Sequence, residues 1–364
     1  MKIKALVGIM LTLLLVSMLT IVFSVNAELP KLTRVVANGF GDPNNIGVLP
    51  YGVFAGYLYA GTWNEVTGGE IWTTTNGTTW TQVNIDEVRD PNTIYVYPSA
   101  VFNGRLYAGT VNEVTGAEIW VTANGTTWTR ANVKGFGDSN NIEIYPEAVF
   151  DKRLYAGTVN EVTGGEVWRT EDGVHWEQVN VDGFGDSNNI GTEPVVVFAG
   201  CLYAGTWNEV TGGEVWRTMD GVYWNQVNVD GFGDPNNTYV EPSGVVGSYL
   251  YTGTDNEVTG GEVWRTEDGV YWEQVSLGGM GNPNNIEVFT NCAVMYGGLY
   301  LGTVNEVTGG EIWRLSTVVV GGIWIPVDKF SLLAPYIGLA STLIVATVAT
   351  TIYVKRVKRR KEKQ

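Results

Sequence analysis

Along most of this chain, short runs of apolar and aromatic residues alternate with clusters of glycine, asparagine and aspartate. One such run, Leu-Tyr-Ala-Gly-Thr at residues 58–62, recurs with little change every 48 residues. Its copies begin at Leu58, Leu106, Leu154, Leu202 and Leu250, and a last copy follows at Leu299 after 49 residues. Strand-forming repeats of this length are typical of β-propellers, in which each repeat forms one blade. The six copies therefore predict six blades.

Each repeat carries the pattern of four short strands. In the copy at residues 146–193, strand patterns at 146–150, 154–161, 166–170 and 176–180 are separated by turns rich in glycine, asparagine and aspartate. Paired glycines supply the positive φ angles that tight hairpins need. We therefore predict an all-β fold, a six-bladed propeller with four-stranded blades.

The fourth strand occurs only five times within the repeats. Its copies begin at Trp80, Trp128, Trp176, Trp224 and Trp272. A sixth copy stands near the N-terminus, because residues 32–42 align without gaps on residues 128–138. Residues 32–37 are thus predicted to complete the blade built by residues 289–315 and to close the ring. The alternative is a strand at residues 323–325, whose spacing from the third strand fits less well.

Uncharged apolar stretches lie near both ends of the chain and predict its location. Two lysines, a long apolar run and small residues at 25–27 are typical of a signal peptide or an N-terminal anchor. At the other end, a segment of 25 uncharged residues is long enough to cross a bilayer as a helix, and a basic tail follows it. Positive residues stay in the cytoplasm, so the propeller is expected outside the cell. The predicted segments are 1–27 (signal peptide or anchor), 28–315 (propeller), 316–329 (linker), 330–354 (transmembrane helix) and 355–364 (cytoplasmic tail).

The C-terminus also resembles the anchoring segments of archaeal surface proteins. The likeness rests on the sequence Pro-Val-Asp-Lys-Phe at residues 326–330, the spanning helix and the basic tail. Some members of that group are processed by membrane enzymes, so both permanent anchoring and processing remain open.

The charge balance narrows the possible partners. The formal net charge is −16 at pH 7, which excludes nucleic acid as an expected partner. An acidic surface either gathers divalent cations such as calcium or keeps a surface protein soluble. Three Asn-x-Thr sequons are candidate glycosylation sites, at Asn76, Asn124 and Asn236.

The turn between the third and fourth strands resembles the Asp-box of the bacterial neuraminidase repeat family. The matching residues are Asp172, Gly173 and Trp176; Asp220, Gly221 and Trp224; and Asp268, Gly269 and Trp272. The turns run one residue shorter than the usual spacing of that family. In the family the box is structural and lies away from the active site, so the resemblance implies a fold and says little about activity.

Membership in that family would suggest a sialidase, a glycoside hydrolase with an arginine cluster and a tyrosine nucleophile. The recurrent arginines here stand beside tryptophan in the third strand, toward the periphery of the blade, and the repeats are near copies. The single histidine, His175, occupies a turn position that tyrosine fills in later repeats. The sequence therefore favours a protein that is not an enzyme.

The loop between the second and third strands offers the best candidate for binding. Its Asn-Glu pair recurs in every repeat, and oxygen-rich loops suit calcium or sugar hydroxyls. Tryptophan precedes the pair only in the first and fourth repeats, giving the candidate ligand-binding residues Trp63, Asn64, Glu65, Trp207, Asn208 and Glu209. The competing interpretation is that the tryptophans pack between blades and the polar residues stabilise turns. The sequence predicts a binding or adhesion module for glycan or protein, with a structural surface-layer protein as the alternative.

Overall fold

The computed structural model describes residues 35–83, 90–290, 294–295 and 298–316. These residues form an all-β, propeller-like fold, with 24 strands and five single-turn 3-10 helices. The chain divides into two compact units, of which unit 1 ends at Ile144 and unit 2 begins at Tyr145. Within the described residues, no helix has both the length and the apolar composition that a membrane crossing requires. The predicted N-terminal segment, transmembrane helix and basic tail lie outside them.

In the first five repeats the strands follow one another in the predicted order, four per repeat. Unit 1 contains β1 (Gly47–Phe54), β2 (Tyr57–Trp63), β3 (Ile71–Thr74), β4 (Thr81–Gln82), β5 (Tyr95–Phe102), β6 (Arg105–Val111), β7 (Ile119–Thr122) and β8 (Trp128–Arg130). Strand β9 (Glu143–Phe150) runs from unit 1 into unit 2.

Unit 2 continues the same order. Its strands are β10 (Arg153–Val159), β11 (Val167–Thr170), β12 (Trp176–Gln178), β13 (Gly191–Phe198), β14 (Cys201–Trp207), β15 (Val215–Thr218), β16 (Trp224–Gln226), β17 (Tyr239–Val246), β18 (Tyr249–Asp255), β19 (Val263–Thr266), β20 (Glu273–Gln274), β21 (Glu287–Phe289), β22 (Val294–Met295), β23 (Gly298–Val304) and β24 (Ile312–Ser316). The 3-10 helices lie at Asn38–Gly41, Lys134–Gly137, Asp182–Gly185, Asp230–Gly233 and Gly278–Gly281.

Within a repeat, neighbouring strands pair antiparallel in chain order, as β13 to β16 do. The register of the first strand shifts just after its proline, for example at Pro50, Pro194 and Pro242. Proline has no N–H for the ladder, so an irregularity is expected there. In the last repeat, β21 and β22 both pair with β23, and β24 forms the third strand.

Among the described residues, β24 pairs with no strand other than β23. The fourth strand was predicted at residues 32–37. Residues 32–34 lie outside the described part of the chain, and residues 35–37 are not in a strand. The closure therefore stays a prediction.

Successive repeats approach each other so closely that one glycine of the repeated motif is obligatory. A Cβ atom on Gly205 would lie 1.8 Å from the carbonyl oxygen of Val240, and one on Gly253 would lie 1.7 Å from that of Val288. Real Cβ atoms never approach a backbone oxygen so closely. The glycine of Leu-Tyr-x-Gly-Thr is thus required because the first strand of the next repeat passes against it.

Aromatic stacks built on Phe40, Phe184 and Phe232 recur along the chain. Phe184 stacks on Trp216 with ring centroids 4.5 Å apart and meets Trp224 edge-on at 5.5 Å. The backbone of Phe184 has a φ angle of 55°, a left-handed conformation that is costly for a residue with a side chain. The stacking offsets part of the cost of this strained turn.

Candidate binding site at the strand ends

The asparagines of the Asn-Glu loops are buried and hold the turns together. Asn208 is fully buried, and its Nδ2 donates to Oδ1 of Asn189 at 2.9 Å. Its Oδ1 accepts the backbone N–H groups of Val210 and Thr211, both at 2.9 Å. Asn64 makes the equivalent contacts in unit 1. Both amides are occupied by the loop itself, so this geometry leaves them little capacity for a ligand.

The other residues of the predicted site are more accessible. Trp63 is 42% exposed, whereas Trp207 is half-buried. Glu65 and Glu209 are exposed on the loops that follow these tryptophans. The described structure thus places the two tryptophans and the two glutamates, but not the two asparagines, where a ligand could reach them.

The Asp-box turns are built from local hydrogen bonds. Oδ1 of Asp220 accepts the backbone N–H groups of Val222 and Tyr223, both at 2.9 Å. Gly221 has a φ angle of 76°, and a Cβ atom there would lie 1.8 Å from the hydroxyl of Tyr155. Equivalent turns lie at residues 172–176 and 268–272. These local bonds stabilise the repeat.

The recurrent arginines serve the same framework. Nε of Arg169 binds Glu177 at 2.7 Å, and Nε of Arg265 binds Glu273 at 2.6 Å, each across the third and fourth strands of its repeat. They are therefore paired within the outer strands. The three sequon asparagines are exposed on turns, at Asn76, Asn124 and Asn236.

The residues that differ between repeats lie where the second strand ends and the first strand begins. At this place, the last residue of the second strand in one repeat pairs with the first residue of the first strand in the following repeat. We call these paired positions the strand-end row. It consists of Gly47, Trp63, Tyr95, Val111 and Glu143 in unit 1, and of Val159, Gly191, Trp207, Tyr239, Asp255, Glu287 and Val304 in unit 2. The first residues of the first strands are, in chain order, glycine, tyrosine and glutamate in unit 1. The same three residues follow in the same order in unit 2.

Glycine and tryptophan are complementary in this row. Gly47 pairs with Trp63 and Gly191 pairs with Trp207. A Cβ atom on either glycine would lie 3.3 Å from Cβ of its tryptophan. The bulky ring is thus accommodated because the opposing residue has no side chain.

Unit 1 presents an aromatic group at the row. The rings of Trp63 and Tyr95 are stacked with centroids 6.0 Å apart, and Tyr97 lies 5.2 Å from Tyr95. The hydroxyl groups of Tyr51 and Tyr95 are hydrogen-bonded to each other. The result is a partly exposed indole face backed by tyrosines whose polar ends are fixed.

Unit 2 presents carboxyl groups in the corresponding strands. The hydroxyl of Tyr239 donates to Oε2 of Glu193 at 2.6 Å, joining two successive first strands. Glu241 is only 8% exposed. Oε2 of Glu147 and Oδ1 of Asp255 are buried and have no hydrogen-bond partner. With Glu287, these residues form what we call the carboxylate cluster: Glu147, Glu193, Glu241, Asp255 and Glu287.

Burial and like charge make ionisation of this cluster costly. Burial, together with the charges of Asp255 and Glu193, raises the pKa of Glu287 to about 7. Burial likewise raises the pKa of Asp255 to about 6, with Glu257 and Glu209 contributing. The neighbouring charges that act on these two groups are themselves carboxylates.

The deeper members behave in the same way. Burial raises the pKa of Glu147 well above its usual range, and Glu193 and Glu241 add like charge. Burial and the same two glutamates raise the pKa of Tyr239 well above its usual range. The tyrosine therefore keeps its proton and acts as a hydrogen-bond donor.

No metal centre is assembled in the described part of the chain. Among the described residues, no group of three or more His, Cys, Asp or Glu side chains could hold a metal ion. Calcium therefore remains a prediction from the oxygen-rich loops.

Sequence reasoning missed the carboxylate cluster because it read the first strands only as scaffold. A signal was present in the comparison of repeats. Glu193 and Glu241 stand at the position that Leu49, Tyr97 and Tyr145 occupy in the first three repeats. An apolar or aromatic position that becomes acidic in consecutive repeats is unusual for a buried strand.

Comparison with known proteins identifies no family for this chain. No protein-family model matches it, and no curated protein does. Similar solved structures include an ancestral GH74 enzyme, with 18% identity over 73% of this chain and 37% of that one, at a TM-score of 0.46. A prolyl endopeptidase matches with 14% identity over 72% of this chain and 40% of that one, at a TM-score of 0.44. A Trypanosoma rangeli sialidase in complex with sialic acid matches with 14% identity over 73% and 52%, at a TM-score of 0.43. The chain thus spans about two fifths of the first two structures, and at this level the likeness gives no information about activity.

Proposed function

We propose that this protein is a glycan-binding module and that the strand-end row is its binding site. The observation that carries the proposal is the contrast within the repeats. Turn and core residues recur almost unchanged, whereas the row changes from tryptophan to tyrosine to carboxylate. Flat aromatic faces beside hydroxyl and carboxyl groups suit the faces and hydroxyls of sugar rings. Trp63, exposed and stacked on Tyr95, supplies such a face.

The chemistry of the row supports binding rather than sialidase activity. The carboxylate of a sialic acid would be repelled by the like charges of the carboxylate cluster. Tyr239 is hydrogen-bonded to one of these acids, Glu193, and it holds its proton too firmly to serve as a nucleophile. The paired arginines Arg169 and Arg265 are occupied in the outer strands. A glycoside hydrolase remains the less favoured candidate.

The proposal also covers the number of blades, the closure of the ring and the attachment of the protein to the membrane. We propose six blades, with residues 32–37 supplying the missing outer strand of the last one. The open edge of β24 supports this, because Ile312 is 82% exposed there and a cavity of about 310 Å³ is lined by Leu301, Trp313 and Leu315. We also propose that residues 330–354 anchor the protein in the cell membrane, with the propeller outside and residues 355–364 in the cytoplasm. Deletion of residues 28–37 should lower the urea midpoint of the remaining chain.

A glycan array tests the proposed function. The full-length protein in detergent is applied with and without Ca²⁺, beside the variants Trp63→Ala and Tyr223→Ala. Tyr223 is a matched control, because it is an aromatic residue that is 77% exposed but lies on an Asp-box turn. We expect a sugar-specific signal that Trp63→Ala removes and Tyr223→Ala preserves.

Other results of the same experiment would redirect the assignment. A signal lost with a chelator would add calcium to the site. Silence on the array combined with self-association of the protein would favour the surface-layer alternative. Release of free sugar from an array glycan would establish a hydrolase.

A further inference from the structure

Two oxygens of the carboxylate cluster lack a hydrogen-bond partner in unit 2. Oε2 of Glu147 and Oδ1 of Asp255 are shielded from solvent and make no hydrogen bond. In the neighbouring first strands β13 and β17, by contrast, Glu193 accepts a hydrogen bond from Tyr239. A buried acceptor left unpaired costs about 1–3 kcal/mol, and native proteins contain few of them. Such atoms mark a place where a donor from outside the chain would be stabilised.

The surroundings determine which donor fits. The charges acting on Glu147, Asp255 and Glu287 are carboxylates, so an added group should be positive. The charge of Glu193 raises the pKa of both Glu147 and Glu287, so these three acids interact electrostatically. The described acids do not converge on a point where one metal ion could bind. Several separated acceptors are instead suited to ammonium groups, each of which offers three N–H donors.

An aromatic ring completes the environment. Trp207 pairs in register with Tyr239 and precedes the acidic positions of the row. A tryptophan face attracts a cation by about 0.5–2 kcal/mol. The unit therefore combines unpaired acceptors, negative charge and an indole ring, the combination that recognises an organic cation.

We infer that the carboxylate cluster of unit 2 binds the ammonium groups of an amino sugar, with Glu147 and Asp255 as the acceptors and Trp207, the register partner of Tyr239, as the aromatic face. The inference rests on the proposed function, because it specifies the class of glycan that the strand-end row binds. A site of this kind prefers a positively charged sugar, whereas a site for sialic acid prefers a negatively charged one.

Two oligosaccharides that differ only in acetylation test this inference. A hexamer of glucosamine and a hexamer of N-acetylglucosamine are titrated into the full-length protein at pH 7 by calorimetry. The glucosamine hexamer should bind about tenfold tighter or more, as expected for charge-assisted hydrogen bonds. Its binding should also release protons, because a cation favours the ionised forms of Asp255 and Glu287. Proton release is measured by repeating the titration in buffers of different ionisation enthalpy.

Three variants assign the effect to the cluster. Glu147→Gln and Asp255→Asn keep the shape of the side chains and should each remove most of the preference for the amine. Glu267→Gln removes one exposed carboxylate from an Asp-box turn of the same unit and should change the affinity less than about twofold. Circular dichroism and residual binding of the acetylated hexamer show that each variant is folded.

The outcomes separate this inference from the proposed function. Equal binding of the two hexamers overturns the inference and leaves the glycan-binding function intact. An amine preference that Glu267→Gln weakens as much as Glu147→Gln overturns it too, because the attraction would then come from overall charge. Binding of neither hexamer, with a silent array, overturns both.

Discussion

Replacement of Glu287 by glutamine should stabilise the folded protein, and the gain should depend on pH. The pKa of Glu287 is raised to about 7 by burial and by Asp255 and Glu193, whereas an exposed glutamate titrates near 4.5. This difference corresponds to about 3 kcal/mol, at about 1.4 kcal/mol per pH unit. Because the folded-state pKa is the higher one, the ionised carboxyl destabilises the fold. The cost is small below pH 4.5, grows as the pH rises toward 7 and is complete above it.

Urea denaturation of the full-length chain at pH 5 and pH 8 measures this effect. The free energy of unfolding of Glu287→Gln should exceed that of the original chain by about 3 kcal/mol at pH 8 and by about 1 kcal/mol at pH 5. Glu267→Gln, an exposed carboxyl on an Asp-box turn, should change stability little at either pH. A gain for Glu287→Gln that is equal at the two pH values, or absent at pH 8, would refute the assignment of Glu287 to a buried cluster of like charges.

Three further substitutions test the framework around the site. Asn208→Ala removes three hydrogen bonds of a buried turn and should cost about 3 kcal/mol in urea denaturation, whereas Glu209→Ala next to it should cost less than about 0.5 kcal/mol. Gly253→Ala should prevent folding as judged by circular dichroism, because its Cβ would lie 1.7 Å from a backbone oxygen of β21, while Gly52→Ala, with no atom nearer than 3.9 Å, should fold normally. Phe184→Ala should lower the free energy of unfolding by about 3 kcal/mol through loss of its two tryptophan contacts, and an unchanged urea midpoint would contradict the stacking described here.

The strands of this protein could be predicted from sequence because each repeat contains its own strand and turn signals. Local alternation and paired glycines are sufficient to place strands such as β14 and β15. The Asp-box bonds are equally local, since Asp220 binds N–H groups two and three residues away. Features that depend on contacts within one repeat were therefore visible in the sequence.

The site was harder to predict because its contacts join different repeats. Asn208 looked like a ligand-binding amide, but its partner Asn189 lies 19 residues earlier, across the link between strands. Glu193 and Tyr239 are 46 residues apart and meet only because successive first strands share one register. No local pattern indicates which of the repeated polar residues are consumed by such contacts and which remain free.

The order of residues in the strand-end row also bears on the history of the chain. The first-strand starts run Gly47, Tyr95, Glu143 and then Gly191, Tyr239, Glu287, so the same triplet occurs twice at an interval of 144 residues. Duplication of a segment of three repeats leaves this pattern. On that account the ancestral half already held both the aromatic and the acidic positions, and its two descendants then diverged in their neighbouring strand residues. If the strand-end row binds glycan as proposed, ligand preference in each half could change by single substitutions, while the turns and the core were inherited intact.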